Sequence, residues 1–164
     1  MLHYAGNWTT LNDPQIPSTD DPKPYVETSD ALASVSADFT GAVAVAINAN
    51  RNWGHWLYKV VCIAVTLTCS SSLIVYKSLN DTAVQNVDVQ YNASTYWLIG
   101  NALLYYQSGL NPSTGYSIML TNLGNSADFK LSLNDITIYL PNTTNSLARY
   151  EHCLVFVMHT QTVW

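Results

Sequence analysis

The stretch Arg51-Asn52-Trp53-Gly54-His55-Trp56 brings aromatic planes, hydrogen-bond donors and a titratable ring together within six residues. A sugar ring has an apolar face bordered by hydroxyls, so an exposed tryptophan plane beside Asn, Arg or His donors suits it. Arg51, Asn52, Trp53, His55 and Trp56 are therefore the candidate ligand-binding residues, with Trp8 and Tyr25 as candidate neighbours. Two of them have a competing role. Trp56 opens an apolar run and suits a core position, and Trp53 could instead cover one end of a sandwich.

Catalytic signatures are missing. The sequence contains no H-E-x-x-H, G-x-S-x-G, P-loop or G-x-G-x-x-G. Glu27, His3 and His55 are its main acid–base candidates, and an enzyme would need His55 or Glu27 to meet a second ionisable partner in a pocket. Paired-carboxylate chemistry would have to draw on Asp13, Asp20, Asp21, Asp30 and Asp38, all set among turn residues where aspartate commonly caps loops. Asp20-Asp21 alone does not define a calcium shell, and Cys62, Cys69, His152 and His159 lack zinc-site spacing. The expectation is a non-catalytic protein without metal or cofactor. Six Lys and Arg against eleven Asp and Glu give a net charge of −5 with no basic cluster, which argues against a nucleic-acid partner.

The elements that position these residues are strands. Hydrophobic residues make up 48% of the chain and charged residues 10%, so the polar surface is built from Asn, Ser, Thr and Tyr, a mixture that favours short strands and polar turns. Ser34–Phe39 alternates strictly, Gly41 breaks the run, and Val43, Val45 and Ile47 resume it, giving two strands joined by a turn at Thr40-Gly41. A short strand is expected around Tyr4–Trp8, then a proline-bearing surface loop to Tyr25, and a turn-rich loop over Asn48–His55. Further strands are expected at Val87–Tyr91, Ala102–Gln107, Tyr116–Thr121 and Phe129–Tyr139. The last changes phase at Asn134-Asp135, where a bulge or bend belongs. A helix over Tyr96–Tyr106 is the local alternative. The fold class is all-β, a two-layer antiparallel β-sandwich of jelly-roll type.

Two stretches are out of character. Removing Val61–Lys77 joins Val60 to Ser78, and Tyr58, Val60 and Leu79 then alternate with Lys59, Ser78 and Asn80 up to an Asn-Asp turn. Cys62 and Cys69 lie inside this stretch and Cys153 in the tail, leaving the rest of the chain without cysteine. Val61–Lys77 is thus expected to be a translated retained intron, and residues 150–164 a second non-native tail after a sandwich domain spanning 1–149. The competing arrangement is a genuine hairpin in which Val61, Ile63, Val65 and Leu67 form one arm, Cys69–Ser72 the turn and Leu73–Tyr76 the return. The apolar run is too short and too interrupted to cross a bilayer as a helix. Four sequons, at Asn7, Asn80, Asn92 and Asn142, lean towards secretion and glycosylation, although the chain opens without a signal peptide.

Without the inserted stretch, the framework resembles a family of fungal, mostly basidiomycete, secreted or membrane-anchored surface proteins with galactose-binding-like jelly-roll domains. The residues that carry the likeness are Tyr4-Ala-Gly-Asn-Trp8, Ala33–Ile47, Trp53-Gly54-His55-Trp56-Leu57-Tyr58, Leu103–Leu110, Tyr116–Asn122 and Phe129–Tyr139. They are framework motifs covering most of Tyr4–Tyr139. The resemblance implies an extracellular or cell-surface location, with a signal peptide, and in many relatives a further domain or membrane anchor, lying beyond this chain. The functional expectation is a surface module that binds cell-wall carbohydrate. The alternatives are a purely structural or adhesive ectodomain, or a carbohydrate-active enzyme. Exposure of Trp53 discriminates the first from the second.

Overall fold

Apolar and small polar residues alternate over Ser34–Phe39, and in the computed structural model of the chain this stretch is a strand whose Val35, Ala37 and Phe39 are buried. The structure describes residues 1–11, 24–65, 89–141 and 154–159, and the regular elements among them are all strands. In chain order they are β1 (Leu2–Ala5), β2 (Thr9–Leu11), β3 (Tyr25–Thr28), β4 (Ser34–Phe39), β5 (Ala44–Arg51) and β6 (Leu57–Val65). After these come β7 (Val89–Asn92), β8 (Ile99–Ser108), β9 (Gly115–Asn122), β10 (Leu131–Leu133), β11 (Asp135–Leu140) and β12 (Leu154–His159).

One layer is a five-stranded antiparallel sheet in the order β1-β4-β9-β6-β7. The other is built around β10 and β11, which are one run of chain interrupted at Asn134. On one side of this run β11 pairs with β5, which pairs with β8; on its other side β10 pairs with β3 and β11 with β12. The phase change expected at Asn134-Asp135 is therefore present. Where β10 leaves the ladder of β5, the fully buried Ser132 side chain stands in for the missing backbone bonds: its Oγ accepts from Asn50 N–H at 2.9 Å and donates to Asn50 C=O at 3.1 Å. Among the described residues no helix is long and apolar enough to cross a membrane.

The layers meet through period-two burial. Val60, Ile118 and Leu120 of the five-stranded sheet belong to one core with Val45, Ile47, Leu133 and Ile136 of the other, all at 0% exposure. Each such side chain stabilises the fold by roughly 1.5–3 kcal/mol relative to exposure. A polar tie also crosses the interior: Tyr58 on β6 donates its hydroxyl to Leu104 C=O on β8 at 2.8 Å. Burial pushes the Tyr58 hydroxyl pKa upward, so it stays a donor.

Several expectations are corrected. The stretch Tyr4–Trp8 is not one strand, because the chain bends at Gly6 and passes from β1, paired with β4, to β2, paired with β3; Gly6 has φ +85° and sits where an added Cβ would lie 2.7 Å from Ala33 Cβ. Only glycine fits there. Residues 48–51 belong to β5 and not to a loop, with bulges between Ile47 and Asn48 and between Ala49 and Arg51. The turn at Thr40-Gly41 does join two strands, but β4 and β5 enter opposite layers. Tyr25–Thr28 forms a strand that the alternation did not mark, and the helix alternative over Tyr96–Tyr106 gives way to β8.

The two stretches set apart in the sequence both contribute strand backbone. Residues 61–65 continue β6 without a break, and Val61, Cys62, Ile63, Ala64 and Val65 pair with Met119, Ile118, Ser117, Tyr116 and Gly115 of β9. Cys62 points into the core, where burial pushes its thiol pKa up to about 11 and leaves it a poor nucleophile. The first arm of the hairpin arrangement is thus present through Val65, while residues 66–77 lie outside the described residues. Residues 154–159 pair with β11 along its whole length.

Candidate functional site

Asn52 organises the loop between β5 and β6. Its side-chain Oδ1 accepts from Trp53 N–H at 2.8 Å, and its carbonyl accepts from His55 N–H at 3.0 Å, closing a tight turn. The same carbonyl accepts from Thr95 N–H at 3.2 Å, and Ser94 Oγ reaches Trp53 O at 3.5 Å. On its other side the loop is stitched to Lys130, which donates N–H to Gly54 O and accepts from Trp56 N–H. With both flanks tied, the Trp53 side chain at the tip is left 76% exposed.

The five candidate residues therefore divide. Trp53 presents its ring to solvent, and Asn52 shapes the turn beneath it. Arg51 closes β5 opposite Ile99 and reaches Asn92 C=O at 3.4 Å, so its guanidinium braces the loop. Trp56 is partly buried and stacks on Phe129, with ring centroids 4.5 Å apart and planes 17° apart. His55 is buried at 4%. His55 is thus enclosed and Trp56 has a ring face covered by Phe129, so that of the five it is Trp53 whose ring stands open. The candidate neighbours also have other work. Tyr25 is buried on β3, and Trp8 donates Nε1–H to Ala5 O and sets its ring edge-on to Tyr4.

Two aromatics that the alternation pattern passed over stand beside the loop. Tyr96 is 94% and Trp97 81% exposed, and they follow Thr95, whose N–H bonds Asn52 and whose Oγ1 donates to Trp97 O at 2.7 Å. The bonds from Ser94 and Thr95 thus join the Trp53 loop to the segment bearing Tyr96 and Trp97. The available signal was adjacency: two neighbouring bulky aromatics cannot both point into a core from one strand.

Beneath the loop lies a charged cluster. Glu27 on β3 holds His55 through Oε2 and Nε2, 3.4 Å apart, and accepts from Lys130 Nζ on Oε1 at 2.8 Å. Burial disfavours the Glu27 carboxylate, but the hydrogen bonds of His55 and Lys130 and the positive charge of Lys130 outweigh it and hold its pKa below the ordinary value. A glutamate whose folded pKa is depressed stabilises the fold fully above its unfolded pKa of about 4.3 and loses that contribution as pH falls through the lower folded value. Urea unfolding should therefore find Glu27→Gln less stable than wild type near neutrality. The gap should shrink as pH drops from about 6 towards about 3, and a gap that is constant with pH would refute the ionic role.

Among the sequons, Asn7 and Asn92 are exposed. Asn7 donates Nδ2–H to Asp30 at 2.7 Å, while Asn92 accepts from Ser94 N–H at 2.8 Å. Asn80, Asn142 and the Asp20-Asp21 pair lie outside the described residues, and among those described no group of three His, Cys, Asp or Glu side chains could hold a metal ion. No protein-family model matches the chain, and no curated protein sequence matches it.

Proposed function

We propose that this β-sandwich is a non-catalytic, extracellular surface module that binds cell-wall carbohydrate at the Trp53 end. The observation that carries the reading is the exposure of Trp53 beside a hydrogen-bonded segment bearing the equally open Tyr96 and Trp97. Aromatic planes stack on the C–H faces of pyranose rings, and Asn52, Asn92, Ser94 and Thr95 supply neutral polar groups at the same end. The non-catalytic side of the reading rests on Glu27 and His55. They do meet, but Glu27 has both oxygens engaged and His55 is buried, so neither is presented as a free acid or base.

The test is co-sedimentation with insoluble β-glucan and chitin, extended by a glycan array. Trp53→Ala is expected to weaken binding about tenfold, the equivalent of ~1.4 kcal/mol of lost stacking, with Trp97→Ala similar in direction. Retention of full affinity by Trp53→Ala would exclude the site, and no binding to any glycan would exclude the function.

A further inference from the structure

We propose that β8 is a docking edge for a second copy of this chain, which pairs with it antiparallel and extends the sheet across a two-fold axis. The inference is independent of the carbohydrate reading. β8 ends the order β12-β11-β5-β8, and among the described residues no strand pairs its far edge. At ten residues it is the longest of the described strands, and it carries Ile99 at 43%, Leu103 at 59% and Tyr106 at 54% exposure. Such edges are ordinarily guarded by lysine, proline, brevity or bulges, because their free N–H and C=O groups template further pairing. This one has no charge and no proline.

Irregularities lie beside Leu103 and between Ile99 and Ala102, where Asn101 has φ 49°, but from Tyr105 to Ser108 the register against Ile47, Ala46, Val45 and Ala44 is unbroken, so this half of the strand has regular ladder geometry. The occupant follows from charge. From Val89 to Ala127 the sequence holds no Asp, Glu, Lys or Arg. An isologous contact sets the same side chains against themselves, and any charge near the axis would meet its like. β8 meets that requirement and offers nothing to attract a charged partner. Paired residues share a face, so Leu103 and Tyr106 of the two copies would come together on one side of the joined sheet.

Sedimentation equilibrium of the full chain tests this. Wild type should move from the 18.1 kDa monomer towards twice that mass as concentration rises. Leu103→Lys, an exposed substitution that leaves the core intact, should stay monomeric at the same concentrations with an unchanged circular-dichroism spectrum. Hydrogen exchange supplies a second reading: β8 amides should gain protection with concentration in wild type and not in the variant. A wild type that is monomeric throughout, a Leu103→Lys variant that dimerises as well as wild type, or β8 amides already protected in dilute monomer because part of the same chain covers the edge would each overturn the proposal.

Discussion

An Asn122→Ala variant is expected to lose about 2–4 kcal/mol of folding stability, because the substitution leaves Gly124 N–H without its acceptor and takes from Asp30 C=O one of two donors, the other being Ala33 N–H. Asn122 is completely buried at the end of β9; its Oδ1 accepts from Gly124 N–H at 2.9 Å and its Nδ2 donates to Asp30 O at 3.0 Å. The second bond secures the 30–33 turn, in which Leu32 is held at φ 64°, a left-handed conformation that costs a non-glycine residue roughly 1 kcal/mol or more. Asp30 in turn accepts from both the backbone and the side chain of Asn7, so the turn between β1 and β2 hangs from the same point. At this chain length the loss corresponds to a fall of roughly 5–15 °C in thermal midpoint. Differential scanning calorimetry showing a shift under about 2 °C would mean that the 30–33 turn holds itself.

Deleting Val61–Lys77 is expected to leave the sandwich folded and raise its thermal midpoint. In the contracted chain Ser78, Leu79 and Asn80 occupy the places along β9 that Val61, Cys62 and Ile63 now hold. Leu79 inherits the inward position of Cys62. The outward positions become serine and asparagine, matching Ser34, Ser36, Asp38 and Ser117 on the same face, where Val61 and Ile63 now stand with Met119 as apolar residues. The stretch joining β6 to β7 also contracts from residues 66–88 to residues 83–88, roughly a fourfold shortening. Calorimetry and limited proteolysis of the two forms decide the matter. A deletion variant that fails to fold, or that melts well below the parent, would show Val61–Val65 to be irreplaceable as the partner of β9.

The candidate site was legible in part, for definable reasons. Trp53 stood out because Asn, Gly and Arg around it signal a turn, and a tryptophan in a turn has no core to enter. Trp56 lies three residues on and stacks against Phe129, a partner that spacing along the chain does not reveal. Glu27, His55 and Lys130 show the same limit more sharply: the Glu27 contacts span 28 and 103 residues of sequence. Tyr96 and Trp97 were hidden by a pattern that fits a helical face as well as a strand. Only the pairing of β8 with β5 removes that ambiguity.

The sequence by itself determined which side chains turn inward along β4 and, through Val45 and Ile47, along β5, and where the β10–β11 run breaks, since successive residues of an extended chain face opposite ways and a phase change needs an irregular residue. Tertiary structure decided which strands became neighbours. It sent β4 and β5 into opposite layers across Gly41, set β9 between β4 and β6, put β8 at the end of the strand order among the described residues and brought Glu27 against His55 of the Trp53 loop. Backbone hydrogen bonds are the same for every residue except proline, so a strand pattern states which face is buried but not which ladder it joins. That choice is made only when distant strands close over a common interior and their turns fix the register.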